Sequence, residues 1–218
     1  MRRALLACVL LAACTGAAPP AGGVLAVGDS VLAWNGEGGI PESAAGALGL
    51  PVRDASVAGA RVLGSGFLGF VDSIPAQLEA NRGPWDWVVL NGGANDLARA
   101  CGTPGEDAIL DALIGGGGGG ALPALVADIR RSGARVALVG YYGNPRGART
   151  SFTACGPVLE RLDARLAALA ARDSGIVFVD AGGAIDPARR GLYDADLVHP
   201  SPEGSARIGR ALARAMGG

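Results

Sequence analysis

Five short apolar runs, each rich in valine, recur along the sequence and are separated by segments with helical patterning. The runs are Val24–Val27, Val52–Val57, Trp87–Leu90, Arg135–Tyr141 and Ile176–Val179. Runs of this length that are apolar almost throughout are typical of strands buried on both faces. Strands that alternate with helices favour a parallel sheet, because a parallel connection needs a long crossover. The pattern therefore predicts one doubly wound α/β domain, a three-layer sandwich with helices on both faces of the sheet.

Five helices are predicted between or after these strands. They are Glu42–Leu48, Ser73–Asn81, Ala121–Arg131, Pro157–Arg172 and Pro202–Met216. In doubly wound sheets the functional site lies beyond the carboxyl ends of the strands. The loops expected to carry it begin at Gly28, Ala58, Asn91, Tyr142 and Asp180. The six-glycine run Gly115–Gly120 is instead expected to be a surface loop, because the Lys and Ser or Thr of a phosphate-binding loop do not follow it.

The composition excludes several chemistries. The chain has no lysine, so a P-loop lysine and a Schiff-base lysine are both impossible. Its single histidine, His199, argues against a His-rich zinc site and is the one imidazole available for acid–base catalysis. The net charge of −1 provides no basic surplus for a nucleic-acid partner. No cofactor and no metal are expected.

The N-terminus has the pattern of an export signal. Residues 1–13 combine two arginines with an apolar stretch that is too short to span a bilayer. The run Leu11-Ala12-Ala13-Cys14 resembles a bacterial lipobox, which implies cleavage before Cys14 and attachment of diacylglycerol to its sulfur. An ordinary signal peptide that is cut a few residues later is the alternative.

These features predict a signal peptide over residues 1–13, a flexible tether over 14–23 and a folded domain over 24–218. The protein is expected to be exported, in the periplasm or otherwise outside the cytoplasm. Its expected contact with a membrane is the lipid anchor on Cys14 alone, since no later stretch is long and apolar enough to span one.

Two motifs carry groups suited to nucleophilic catalysis. Ser30 follows the first strand, and the preceding Gly28 permits a tight turn that can expose a hydroxyl at the sheet edge. Asp196 precedes His199 by three residues, so its carboxylate could hold one ring nitrogen and leave the other free as a base. Each motif also has a plainer interpretation, Ser30 as a helix N-cap and His199 as a surface residue beside a helix start.

Two further loops offer hydrogen-bond donors at the same edge. Asn95 follows the third strand and has a neutral amide suited to a developing oxyanion. Gly59 follows the second strand and could present its backbone N–H. Both loops could equally be ordinary turns, which are rich in Gly, Asn and Asp. With the N–H of Ser30 they would complete a nucleophile, an oriented base and three oxyanion donors, the set that acyl transfer requires.

In this order the four blocks resemble those of the SGNH hydrolases, the GDSL-type esterases and lipases. The matching residues are Gly28-Asp29-Ser30, Gly59, Gly93-Ala94-Asn95-Asp96 and Asp196 with His199. Val31 departs from the family motif, which has leucine there, but the position is apolar in both. The resemblance covers residues 24–216. It implies a flavodoxin-like α/β fold, a five-stranded parallel sheet of order 2-1-3-4-5, and ester hydrolysis without a metal.

The resemblance also implies a role for each matched residue. Ser30 would be the nucleophile, His199 the base and Asp196 the residue that orients the imidazole. Gly59 and Asn95 would complete the oxyanion hole with Ser30. The expected substrate is a small-molecule or glycan ester. A cell-envelope O-acyltransferase with the same triad and a non-catalytic binding lipoprotein on this fold remain alternatives.

Neither the acyl and alcohol parts of the substrate nor the oligomeric state follow from the sequence. Five aromatic side chains could line a pocket or could equally be core: Trp34, Phe67, Phe70, Tyr141 and Tyr142. Arg146 and Arg149, after the fourth strand, could meet an anionic substrate or remain solvated.

Cys101 and Cys155 are expected to form a disulfide bond. Cys8 leaves with the signal peptide and Cys14 is occupied by lipid, so two thiols remain in an oxidising compartment. They follow the third and fourth strands, which are neighbours in the expected strand order. Two unpaired buried cysteines are the alternative. A disulfide would require their Cα atoms to lie within about 7 Å of one another.

Overall fold

The computed structural model describes residues 22–64 and 73–217. Its five strands form one parallel sheet in the order β2-β1-β3-β4-β5. They are β1 (Val24–Val27), β2 (Val52–Asp54), β3 (Trp87–Leu90), β4 (Arg135–Val139) and β5 (Ile176–Val179). The predicted fold class and strand order are thus confirmed. All four residues of β1 and of β3 are buried, as expected for central strands covered on both faces.

Helices cover both faces of this sheet. The described residues form α1 (Ser30–Ala33), α2 (Ile40–Leu48), α3 (Ile74–Ala80), α4 (Ala94–Leu97), α5 (Glu106–Leu113), α6 (Ala121–Arg131), α7 (Gly156–Ala170), α8 (Ala181–Ala184) and α9 (Pro202–Gly217). Helices α2 and α9 pack together on one face, and α3, α5, α6 and α7 lie on the other. Gly209 permits the first of these contacts, because a Cβ there would lie 2.9 Å from the carbonyl oxygen of Ile40.

Two predicted strands extend too far at their carboxyl ends. The run Val52–Val57 is a strand as far as Asp54, and the run Arg135–Tyr141 as far as Val139. Beyond Asp54 the chain still runs beside β1, since the N–H of Val57 donates to the carbonyl of Gly28. It then turns away from the sheet, which places Gly59 at the carboxyl edge.

Helix α5 was not predicted from the sequence. It buries Leu110 and Leu113 and contacts α6 and α7. Its short length and two acidic residues in the first turn gave a weak apolar pattern. The glycine run Gly115–Gly120 connects it to α6 and closes on itself, because the N–H of Gly115 donates to the carbonyl of Gly119. The run is therefore a loop between two helices, and its residues are exposed or partly exposed, as expected for a surface loop.

The disulfide bond between Cys101 and Cys155 is present, with 4.8 Å between the two Cα atoms. This prediction is confirmed. The bond joins the segment that follows α4 to the segment that precedes α7. The predicted signal peptide, Cys14 and most of the tether lie outside the described residues, as do Phe67 and Phe70. Within the described part of the chain, no helix is long and apolar enough to cross a bilayer.

Glu42, in the first turn of α2, is a half-buried carboxyl group. Its Oε2 atom is buried and has no hydrogen-bond partner among the described residues. Burial, with a smaller effect of the Asp54 carboxylate, raises the pKa of Glu42 from 4.5 to about 7. The folded state therefore holds the proton of Glu42 more tightly than the unfolded chain does.

Replacing Glu42 with glutamine should stabilise the protein increasingly as the pH rises. A raised pKa in the folded state means that wild-type stability is lost between pH 4.5 and about 7, whereas glutamine stays neutral throughout. Denaturant unfolding of Glu42→Gln and the wild type across this window measures the difference in unfolding free energy. A difference that does not change with pH would contradict the assignment.

Candidate active site

Ser30 and His199 meet at the carboxyl edge of the sheet. Ser30 is the first residue of α1, directly after β1, and the Nε2 atom of His199 lies 2.8 Å from its Oγ. The N-cap of α1 is Asp29, whose Oδ1 accepts the N–H of Val31 at 2.9 Å. The hydroxyl of Ser30 is therefore not needed as a cap, and it is free to interact with the imidazole.

Asp196 holds the other side of the imidazole. Its Oδ2 lies 2.5 Å from Nδ1 of His199, and its Oδ1 accepts the backbone N–H groups of Val198 and His199. Burial alone would raise the pKa of Asp196, but the hydrogen bonds from His199 and Val198 together lower it below its usual value. Because an ionised carboxylate can only accept hydrogen bonds, Nδ1 carries the proton and Nε2 is left to accept one from Ser30.

Trp34 restrains the plane of the same imidazole. Its ring stacks on that of His199 with 3.7 Å between centroids and 9° between planes. Its indole N–H donates to Oδ2 of Asp194 at 2.7 Å, which fixes the indole in turn. The aromatic face would also favour an imidazolium that forms during reaction. Trp34, one of the candidate pocket-wall residues, is thus a direct neighbour of His199. The hydrogen bond from Trp34 to Asp194 was not predicted from the sequence.

Asn95 lies near Ser30 and His199. The side-chain amide of Asn95 donates one hydrogen bond to the carbonyl of Ala60 at 3.0 Å, which leaves its second N–H available. Asn95, Ser30 and His199 all line a pocket of about 40 Å³. Gly59 is adjacent to Ala60 and adopts a left-handed φ of 81°, but it is not part of the pocket wall.

The next residue, Asp96, holds the loop after β2 against α4. Its two carboxylate oxygens accept the N–H groups of Val62 and Leu63. The loop after β2 and the start of α4 are therefore joined by three side-chain hydrogen bonds, including that of Asn95 to Ala60. The structure thus brings two of the predicted oxyanion donors, Ser30 and Asn95, to one pocket, while the third, Gly59, precedes the residue to which Asn95 bonds.

A buried hydrogen-bond chain beside Ser30, the candidate nucleophile, was not predicted from the sequence. Asp29 is 1% exposed, and its Oδ2 accepts the hydroxyl of Tyr141 at 2.7 Å. The same hydroxyl accepts the N–H of Ala94 at 3.1 Å. Burial raises the pKa of Asp29 and raises that of Tyr141 well above its usual value. The chain connects the residues beside Ser30 and Asn95 through the start of the loop after β4.

The loop after β4 forms one wall of the site. Tyr142 donates its hydroxyl to the carbonyl of Val198 at 3.0 Å and so supports the loop that carries His199. Tyr141 and Tyr142 both line the small pocket, as two of the five candidate aromatic residues. Arg146 and Arg149 are exposed and line none of the described pockets near the site. Among the described residues, no group of three or more His, Cys, Asp or Glu side chains is arranged to hold a metal ion.

A five-stranded parallel sheet of order 2-1-3-4-5 that is flanked by helices is the flavodoxin-like α/β fold of the SGNH hydrolases. The sequence matches the GDSL-like Lipase/Acylhydrolase family over residues 26–207. The chain therefore belongs to this family of carboxylic ester hydrolases. A search among curated proteins found no match to the sequence.

Solved structures share the fold. A catalytic mutant of an acetylxylan esterase from Geobacillus stearothermophilus has 19% identity and a TM-score of 0.63, over 92% of this chain and 95% of that chain. A lipase from a goat rumen metagenome has 17% identity and a TM-score of 0.63, over 88% and 96%. A candidate SGNH hydrolase from Slackia heliotrinireducens has 22% identity and a TM-score of 0.61, over 88% and 97%. At these identities the likeness is one of fold.

Proposed function

We propose that this protein hydrolyses carboxylic esters through an acyl-enzyme on Ser30. The observation that carries the proposal is the hydrogen-bonded series from Ser30 to His199 to Asp196, with separations of 2.8 and 2.5 Å. A hydroxyl next to a base whose tautomer is fixed by a carboxylate is the arrangement that activates a serine. Membership of the GDSL-like family supports the same reaction class.

The first half of the reaction forms the acyl-enzyme. Oγ of Ser30 attacks the carbonyl carbon of the ester while Nε2 of His199 takes the hydroxyl proton. The carbonyl oxygen becomes an oxyanion, which the N–H groups of Ser30 and Gly59 and the amide of Asn95 stabilise. The bond to the alcohol oxygen then breaks, and the alcohol leaves with the proton from His199.

The second half releases the acid. A water molecule attacks the acyl carbon as His199 takes one of its protons, and a second tetrahedral intermediate forms. Its collapse breaks the bond to Oγ, and Ser30 regains the proton from His199. The imidazolium that exists in each half is stabilised by the Asp196 carboxylate on one side and by the face of Trp34.

A labelling experiment and a product analysis test the proposal. An activated serine should react with a fluorophosphonate probe, and mass spectrometry should locate the label on Ser30. Absence of labelling would favour a non-catalytic binding protein. Hydrolysis of a p-nitrophenyl ester with added acceptor alcohol should give mainly free acid, whereas dominant transfer of the acyl group to the alcohol would identify an O-acyltransferase.

Esterase activity should fall as the solution is made acidic. A protonated imidazole cannot accept the hydroxyl proton of Ser30. Acidification therefore reduces the fraction of enzyme molecules that have a neutral imidazole and can react. The value of kcat/KM for a p-nitrophenyl ester, measured across the acid range in which circular dichroism shows an intact fold, tests this expectation. A constant kcat/KM over that range would contradict the role of His199 as base.

We also propose that the protein is exported and anchored to a membrane through Cys14. The lipobox-like run Leu11-Ala12-Ala13-Cys14 supports this localisation. Cys14→Ser should block processing or move the protein from the membrane fraction to the soluble fraction, as seen by fractionation and immunoblotting. A wild-type protein that is fully soluble and begins downstream of Cys14 would show that the signal peptide is of the ordinary kind.

A further inference from the structure

The pocket at the triad is too small to hold most esters. Its volume of about 40 Å³ is far below the roughly 300–1,000 Å³ that is usual for small-molecule sites. A second cavity, of about 400 Å³, adjoins it. The two share five wall residues: Tyr141, Tyr142, Asn144, Phe152 and Leu159. A substrate whose carbonyl lies at Ser30 can therefore extend into this second cavity, which we call the side cavity.

The side cavity has an unusual charge balance. Three carboxyl groups line it, those of Glu160, Asp163 and Asp180, and among the described residues no arginine or histidine does. The nearest cations on the same helix, Arg161 and Arg165, form ion pairs with Glu106, Asp107 and Asp111 of α5. The negative charge of the side cavity is therefore not neutralised by its own walls.

Asp163 has the least favourable surroundings of the three. Its Oδ2 accepts the N–H of Tyr141 at 2.9 Å, while its Oδ1 is buried with no partner among the described residues. The chain leaves little space between Asp163 and the end of β4, because a Cβ at Gly140 would lie 2.7 Å from Oδ2. A buried carboxylate oxygen without a donor is costly, and a positive charge in the cavity would offset that cost.

Aromatic rings form another part of the wall. Tyr142, Phe152 and Phe178 all line the side cavity. The faces of aromatic rings attract cations, and alkylammonium groups are favoured where rings and carboxylates occur together. An anionic substrate group would be repelled by the same wall.

We propose that the side cavity is a subsite for the alkylammonium part of a cationic ester, which lies against the aromatic wall and the carboxylates. The proposal deepens and rests on the proposed esterase function, since it assigns the substrate class of the same site.

The pH dependence of the preference follows from the groups around Asp163. Burial, with smaller contributions from Asp180 after β5 and Glu160 on α7, raises the pKa of Asp163 to about 7. The backbone N–H of Tyr141, after β4, opposes them. A bound cation favours the ionised form, so the preference for a cationic ester should increase from about pH 6 to about pH 8.

Matched pairs of esters test the proposal. Butyrylcholine and neohexyl butyrate differ by a carbon atom in place of the ammonium nitrogen, on the alcohol side. The p-nitrophenyl ester of trimethylammonio-butyrate and its carbon isostere make the same comparison on the acyl side. We expect kcat/KM to be about tenfold higher for the cationic member of at least one pair. Equal or lower values for the cationic member of both pairs would overturn the proposal.

Variants locate the preference. Asp163→Asn should reduce the ratio of the two kcat/KM values severalfold and remove its increase with pH, and the ratio is insensitive to a general loss of activity. If Asp163→Asn does not fold, the variants Asp180→Asn and Glu160→Gln, which change exposed side chains, provide the same ratio of kcat/KM values. The matched control is Glu79→Gln. Glu79 is an exposed residue of α3 that pairs with Arg82, and its replacement should leave the ratio unchanged. A ratio that none of the three wall variants lowers would overturn the proposal.

The esterase function and the subsite can fail separately. Hydrolysis of the neutral isosteres together with fluorophosphonate labelling of Ser30 would keep the esterase function even when no cation preference is found. If no ester is hydrolysed and Ser30 is not labelled, both proposals are overturned.

Discussion

Ser30→Ala should lower kcat for ester hydrolysis by at least about 10³-fold and leave the fold intact. The proposed acyl-enzyme forms through Oγ of Ser30, and alanine has no atom that can replace this oxygen. Ser30 is half buried and its Oγ bonds to His199, so loss of the oxygen removes little packing. The α1 cap is kept, because Asp29 supplies it. Rates with a p-nitrophenyl ester, and thermal unfolding of both proteins, measure the two effects.

His199→Ala should reduce kcat by a similar factor, and the double variant should be little worse than either single one. Residues that act as one unit give effects that do not add, because removal of either leaves the other without a function. Additive losses would indicate that the two side chains act independently. A Ser30→Ala protein with near wild-type activity and no fluorophosphonate label at position 30 would show that the nucleophile lies elsewhere.

The sheet could be predicted from the sequence because buried parallel strands leave an apolar run. Three strands, Val24–Val27, Trp87–Leu90 and Ile176–Val179, have the predicted bounds. Where the chain leaves the sheet depends on backbone contacts that leave no mark on hydrophobicity. After β4 has ended, the N–H of Gly140 still bonds to the carbonyl of Val179 and Tyr141 is still buried. The apolar run in the sequence therefore extends past the end of the strand.

The candidate site was predictable to the extent that its residues follow strands. Ser30, Asn95 and His199 meet at one pocket because parallel strands end at one edge of the sheet. The supporting contacts were missed, because they join side chains that are distant in sequence. Asp29 and Tyr141 are 112 positions apart, and Trp34 and Asp194 are 160 apart. Asp and Tyr at such separations have no spacing that marks them as partners, so folding alone identifies them.

The loop that carries Asn95 depends on several restraints rather than one. Asn95 bonds to Ala60, Asp96 to the two residues after Arg61, and Ala94 to the hydroxyl of Tyr141. The disulfide adds a covalent restraint a short distance further on, since the N–H of Cys101 donates to the carbonyl of Leu97 at the end of α4. An oxyanion donor, the role proposed for Asn95, must be in place before the charge develops, so these contacts should bear on rate as well as stability.

Removal of the disulfide should be the largest single loss of stability outside the hydrophobic core. The bond closes a segment of 54 residues. Loss of that constraint on the unfolded chain lowers the unfolding free energy by up to about 4 kcal/mol, or roughly 10 °C in Tm for a domain of this size. The double variant Cys101→Ala and Cys155→Ala, compared with the oxidised wild type by denaturant unfolding, measures the effect. Reduction of the wild type with dithiothreitol breaks the same bond and provides a second measurement of the effect.

Activity separates a global effect of the disulfide from a local one. If the bond acts only on the unfolded chain, the double variant should keep its kcat at temperatures well below its Tm. If it also positions α4, kcat should fall while the fold is intact, because the amide of Asn95 is then less well placed for the oxyanion. We expect the second result, since Cys101 follows α4 within one turn of its last residue and Cys155 is fully buried at the start of α7. Equal stability of the double variant and the oxidised wild type would show that the bond restrains neither state.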